Sequence, residues 1–277
     1  MDEGFIGLIT SIEGLNYTNL WKLTLLGFMR FAPICGLAPF LGAKLIPTIA
    51  RAALALALTL VFLPTILINR VQNIDLTSIM FLILSLKEIM LGFLLGYLCS
   101  VPFFIAQSSG IFIDYARGAS SMMGQDPSTQ SQASTIGILM NYYLIALYYG
   151  LSGPLYFFDA VATSFEIIPI DGFMPLAFYD RNQQFWSVIM ENMHKIFSVS
   201  IQLAAPALLA ILMAESFLGI ANRLAPNVQI SFLGMPLKSI LGLGLLWAGW
   251  YVLMDKLGGF SIEWTNGLNS LISFLQR

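Results

Sequence analysis

Few side chains in this chain are equipped for chemistry, and most of those that are sit where they should not be comfortable. Arg30, Lys87, Glu88 and Glu215 lie near or within long apolar runs, and a charge in hydrocarbon is costly enough to mark a functional position by default. Glu88 opens a charge-free run that ends at Ile113. One reading turns it toward a subunit interface, a water-filled channel or a proton path. The structural alternative places Lys87 and Glu88 at a helix end, with Lys87 snorkelling to water. Glu215, near the end of its own run, divides the same way. Glu191, His194 and Lys195 share one helical face, which fits a solvated helix start better than a ligand set.

Enzymatic constellations are missing. The sequence holds no GxxxxGK[ST] phosphate loop, no HExxH and no GxSxG, and it has a single histidine, which removes the common routes to ATP hydrolysis, metalloprotease and triad chemistry. Cys35 and Cys99 each stand in an apolar stretch, where a thiol behaves as a small buried hydrophobe. No catalytic, cofactor-binding or metal residues are therefore expected, and the chain reads as a non-enzyme. A formal net charge of -2 without basic or acidic blocks leaves no electrostatic footprint for nucleic acid.

The elements that must carry these residues are set by composition. Of 277 residues, 57% are hydrophobic and 10% charged, against roughly 25% charged in a soluble domain. Residues 31–43, 52–69, 89–113, 127–158, 196–214 and 239–254 contain no Asp, Glu, Lys or Arg. Lipid admits only helices or closed barrels, and these runs lack the period-two alternation of barrel strands. The expected fold is all-α: a polytopic membrane protein of about six hydrophobic helices, near 20–42, 48–69, 79–106, 133–158, 186–220 and 236–256. Residues 261–275 suggest a short amphipathic helix. Pro33, Gly36 and Pro39 predict a kink or break in the first helix. Gly92 with Gly96, and Gly244 with Ala248, are small residues one turn apart, the spacing that lets helix backbones approach closely.

Two polar interruptions stand out. Residues 107–132 form a Ser-, Gly- and Gln-rich connection in which Asp114 pairs with Arg117, Gly118 and Gly124 give backbone freedom, and Asp126-Pro127 follow. Met122 and Met123 are pliable side chains able to seal an irregular gap. The second runs over residues 226–238, where Pro226 and Asn227 suit a turn and Pro236 the first turn of the next helix. That makes a helical hairpin with a short polar tip. No separate soluble domain is visible, so residues 1–277 read as one membrane domain.

Taken in order, the motifs resemble the T component of the type III secretion export apparatus, the SctT family (SpaR and YscT among its names), whose flagellar counterpart is FliR. They are Arg30-Phe-Ala-Pro33, Pro47-x-x-x-Arg51, Lys87-Glu88-x-x-x-Gly92, Asp114-Tyr-Ala-Arg117-Gly-Ala-Ser120, Asp126-Pro127, Pro226-Asn-Val-Gln229-Ile-Ser-Phe232 and Pro236-Leu-Lys238. The Asp-x-x-Arg-Gly-Ala-Ser form is closer to the virulence injectisome branch than to the flagellar one.

The resemblance implies a multi-pass protein of the bacterial inner membrane, with its helices arranged as hairpins in a helical export gate. There it would join the R, S and U components (SctR, SctS, SctU) to form the channel for unfolded effector proteins. It further implies N-terminal helices over residues 1–185, which would include a gating or plug loop near 107–132. A C-terminal hairpin over 186–256 would be related to the small S component, with 226–238 as its tip, and a short tail would occupy 257–277. The resemblance also implies hairpins partly lifted out of the lipid, where hydropathy alone predicts ordinary spans. The rival readings are a proton-coupled small-molecule transporter, suggested by the broken first helix with Glu88 and Glu215, and a membrane-embedded enzyme.

Overall fold

Seven α-helices and one short 3-10 turn make up the described residues of the protein, a computed structural model that describes residues 17–43, 46–69, 78–118, 134–173, 184–224 and 230–273. The helices are α1 (Tyr17–Leu37), α2 (Thr48–Ile68), α3 (Ser78–Ala116), α4 (Thr135–Gly150), α5 (Gly153–Ile167), α6 (Gln184–Leu224) and α7 (Ile230–Ser273), with the 3-10 turn at Pro39–Leu41. No strand occurs among the described residues. By length and composition five helices can cross a membrane, and the broken pair α4–α5 counts as a sixth.

The chain forms two compact units, and α3 and α7 each contribute to both. One comprises Met1–Ser100, Ser152–Asn182 and Glu263–Arg277. There α1 packs on α3 through glycine: a Cβ placed on Gly92 would fall 2.1 Å from the Arg30 carbonyl oxygen, and one on Gly96 3.2 Å from the Ile34 Cα. The small-residue spacing at 92 and 96 is thus used inside the chain, bringing two backbones into van der Waals contact. Around this crossing the core is aromatic. Phe31 lies 5.2 Å from Phe62 and 5.9 Å from Phe165, and Phe40 meets Phe157 edge-on at 5.3 Å, separations at which offset or tilted rings attract. The Trp264 indole N–H donates to the Leu98 carbonyl at 2.8 Å.

The other unit comprises Val101–Leu151 and Gln183–Ile262. Phe103 and Tyr148 stack edge-on at 5.4 Å between α3 and α4, and Tyr143 meets Trp250 at 5.1 Å between α4 and α7. Helices α6 and α7 form an antiparallel hairpin, because their contacts step in opposite directions: Leu218 with Gly234, Glu215 with Lys238, Ile211 with Gly242. Gly244 and Ala248 lie exposed, and a Cβ on Gly244 would meet nothing within 4 Å.

Several boundaries differ from the sequence expectation, each for a local reason. The break expected at Pro33 to Pro39 comes after Leu37, and Pro33 itself is accommodated inside α1. Helix α3 runs to Ala116, so residues 107–116 of the expected loop are helical. Their polar groups find partners without breaking the helix, as when Ser109 donates to the Ala106 carbonyl at 2.8 Å. The expected helix 133–158 is interrupted at Leu151 and Ser152, where Ser152 takes a left-handed φ of 59°. The Gly150-Leu-Ser-Gly-Pro154 run supplies the reason, since proline favours a first helical turn. Helix α7 begins at Ile230 and continues through 261–273, where a separate short helix was expected, because Asp255 and Lys256 lie exposed and do not interrupt it.

Candidate functional site

Two buried polar clusters interrupt the apolar interior. In the first, the Arg30 side chain reaches from α1 and is wholly buried, as is Glu88 of α3. The guanidinium is bidentate, with Nε donating to Glu88 Oε2 at 2.5 Å and Nη2 to Oε1 at 2.9 Å. Its remaining bonds run to the α5 end: Nη1 donates to Ser164 Oγ at 3.1 Å and Nη2 to the Ile168 carbonyl at 2.9 Å. The plane lies over Phe165, with Cζ 4.1 Å from the ring centroid, a favourable cation–π distance. Beside it, Lys87 Nζ donates to the carbonyls of Pro169 and Gly172 at 2.8 Å and of Ile170 at 3.2 Å, and approaches Glu88 Oε1 at 2.8 Å.

The physical logic is that of a helix C-terminus. The C-cap Ile168 and the chain after it present carbonyls that a helix cannot satisfy, near the negative end of the α5 dipole. Arg30 and Lys87 satisfy them, and Glu88 neutralises the cations. Helix α3 starts at Ser78, so Lys87 and Glu88 lie in the helix body, not at an end. Lys87, only 8% exposed, points to backbone carbonyls and does not snorkel. The Glu88 carboxylate is engaged on both oxygens, which leaves no oxygen of it unpaired to serve a channel.

The second cluster joins α3 to α4. Asp114 is wholly buried on the last turn of α3. Its Oδ2 accepts from Ser134 Oγ at 2.5 Å and from the Ile136 amide at 3.0 Å, while Oδ1 accepts from Arg117 Nε at 2.7 Å. Ser134 is the N-cap of α4 and accepts from the Gly137 amide at 2.9 Å. Two orphan amides of the first turn of α4 are thereby satisfied, one by its own cap and one by a carboxylate from another helix. One turn below, a Cβ on Gly110 would fall 2.5 Å from the Gly137 Cα and amide nitrogen. Gly118 ends α3 with φ 82°, a conformation that glycine adopts freely.

Of the residues expected in the gating loop, Asp114, Arg117 and Gly118 belong to this clasp, while Met122, Met123, Gly124, Asp126 and Pro127 lie outside the described residues. At the hairpin tip, Pro226, Asn227 and Gln229 also lie outside them, and Phe232 is in α7. Pro236 was expected in the first turn of its helix. The earlier start at Ile230 puts it inside α7 at an exposed position, at the loss of one backbone hydrogen bond. Lys238 and Glu215 form an ion pair at 2.5 Å across the hairpin, with the Glu215 side chain 56% exposed. Lys195 and Glu191 pair at 3.1 Å on an exposed face. Cys35 and Cys99 are free and buried. Among the described residues no group of three His, Cys, Asp or Glu side chains could hold a metal.

Ser134, Ser164 and the carbonyls of residues 168–172 were not foreseen. For Ser134 a signal existed, a serine directly before an apolar helical run being an N-cap pattern. For the others none did, because the Arg30 partners stand 58 to 138 residues away in sequence.

Fold and site together define the class: a multi-pass, all-helical membrane protein held by buried polar clasps. Residues 21–261 match the family model for bacterial export proteins, family 1, and the chain belongs to that family, which comprises the T component of type III secretion systems and its flagellar counterpart FliR. It is 29% identical over 218 residues to Yop proteins translocation protein T of Yersinia pestis, covering 78% of this chain and 81% of that one. Identity to the flagellar biosynthetic protein FliR of Bacillus subtilis is 26% over 259 residues, 92% of this chain and 97% of that one. With the surface presentation of antigens protein SpaR of Shigella flexneri it is 26% over 222 residues, 79% and 81% of the two chains.

Proposed function

We propose that the chain is a core subunit of a type III protein export gate in the bacterial inner membrane, forming with the R, S and U components the channel for unfolded substrate proteins. The observation that carries this reading is the family match over residues 21–261, in a chain with five helices long and apolar enough to cross a membrane.

Within this reading the α6–α7 hairpin is the region related to the S component, and the 119–133 segment serves the seal, with Met122 and Met123 excluding water and ions. The injectisome branch is favoured by the Asp114-x-x-Arg117-Gly-Ala-Ser form. A carrier reading loses its motive, since Glu88 is enclosed by Arg30 and Lys87 and Glu215 is paired at the surface. A tagged full-length chain drawn from native membranes should bring other small hydrophobic export subunits with it. Recovery as a solitary chain that transports small molecules in vesicles would sink the proposal. Deleting residues 120–124 should raise ion leakage through the assembled gate, and unchanged conductance would remove the sealing role.

A further inference from the structure

Between α3 and α4, Phe103 packs on Tyr148, Ser109 on Met140 and Ile111 on Gly137. The Gly110–Gly137 approach opposes a shift sterically, because any side chain brought to that level would overlap backbone, but it offers no directional bond. Asp114 does. Its carboxylate accepts hydrogen bonds from three residues, of which one is the N-cap of α4 and one lies in its first turn.

We propose that Asp114 is the positioning residue that sets the register of α3 against α4, with Arg117 as its neutralising partner and Ser134, the N-cap of α4, as the link between carboxylate and helix. A shift of one turn, about 5.4 Å, would leave a buried carboxylate short of donors and the Ile136 amide without an acceptor, and both are penalised in an apolar interior. Buried ion pairs contribute little net stability relative to apolar packing, and setting register is their best-attested use. Residues 110, 114 and 117 follow the i, i+4, i+7 spacing of one helix face, so glycine contact, register bond and neutralising charge form one strip. Because α3 ends at Ala116 and α4 begins at Thr135, this strip holds both ends of the 119–133 segment. Its bearing on secretion rests on the export-gate reading above; the register role itself does not.

Hydrogen exchange read by mass spectrometry on the full-length chain in lipid nanodiscs tests the role. Asp114→Asn should raise exchange at the amides of Ile136 and Gly137 on the order of tenfold, while amides over residues 200–211 of α6 keep their native rates. Arg117→Lys, which retains the charge, should stay near native. Unchanged exchange at Ile136 in Asp114→Asn overturns the proposal, as does an equal rise along α6, which would mean a general loss of stability. Should Asp114→Asn not accumulate, Ser134→Ala keeps the carboxylate and removes one donor; it should raise exchange at Gly137 and Ile136 alone, and a flat result overturns the proposal equally. If Asp114→Asn behaves as expected while deletion of 120–124 leaves conductance unchanged, the sealing role falls and the register role stands.

Discussion

The Arg30–Glu88–Lys87 cluster and the Asp114–Arg117–Ser134 clasp use the same ingredients for different ends. In the first, two cations and a carboxylate close on each other and on the carbonyls at the end of α5, joining three helices that are far apart in sequence. In the second, a carboxylate reaches the amide end of a helix that follows it by about twenty residues in the chain. Cations serve a helix C-terminus and an anion serves a helix N-terminus, as the macrodipole demands. In both clusters buried charge completes a helix end.

The comparison breaks most readily at Glu88. Replacing it with Gln or Leu strands Arg30 and Lys87 in a closed interior, and removal of one partner of a buried pair costs about 3–5 kcal/mol. The expected result is a severe loss of folded protein in the membrane fraction, with the triple replacement Arg30→Met, Lys87→Met, Glu88→Met recovering some of it. A Glu88→Gln variant with native yield and thermal stability would show that the cluster is not the tie between α1, α3 and α5.

Gly92→Ala sharpens the same comparison by a route that involves no charge. The added Cβ would meet the Arg30 carbonyl oxygen at 2.1 Å, so the backbones must separate, at about 1–3 kcal/mol as in other overpacked cores. Gly244→Ala is its control, with open space around the new methyl. Thermal unfolding in detergent should fall for the first and hold for the second, and equal values would remove the close-packing argument. Smallest is the hairpin pair. Lys238→Ala breaks a contact with Glu215 in which only the glutamate is well exposed, and surface pairs contribute about 0–1 kcal/mol, so the melting temperature should move little. A loss as large as that at Gly92 would mean that the pair is shielded in the native assembly.

How much of this was legible beforehand differs by residue. Long runs free of Asp, Glu, Lys and Arg announced a helical membrane protein, because backbone polar groups in lipid must be satisfied within the segment. Gly92 and Gly96 were readable as a close-packing pair, and Asp114 with Arg117 as an ion pair, since both lie within a turn or two of one helix. The true extent of α3 was not readable, because Gln107 to Gly110 look like loop residues until Gly137 and the helix's own carbonyls receive them.

By itself, then, the sequence determined the fold class, the approximate helix count, the absence of enzymatic motifs and the family resemblance. All of these depend on local composition, spacing and order. Only the tertiary structure decided what the charges do. Whether Glu88 faces a channel or a guanidinium depends on where Arg30 arrives, and whether Asp114 belongs to a loop or to a clasp depends on Ser134 and Ile136. Those partners are brought together by packing of surfaces distant in sequence, and periodicity carries no record of them.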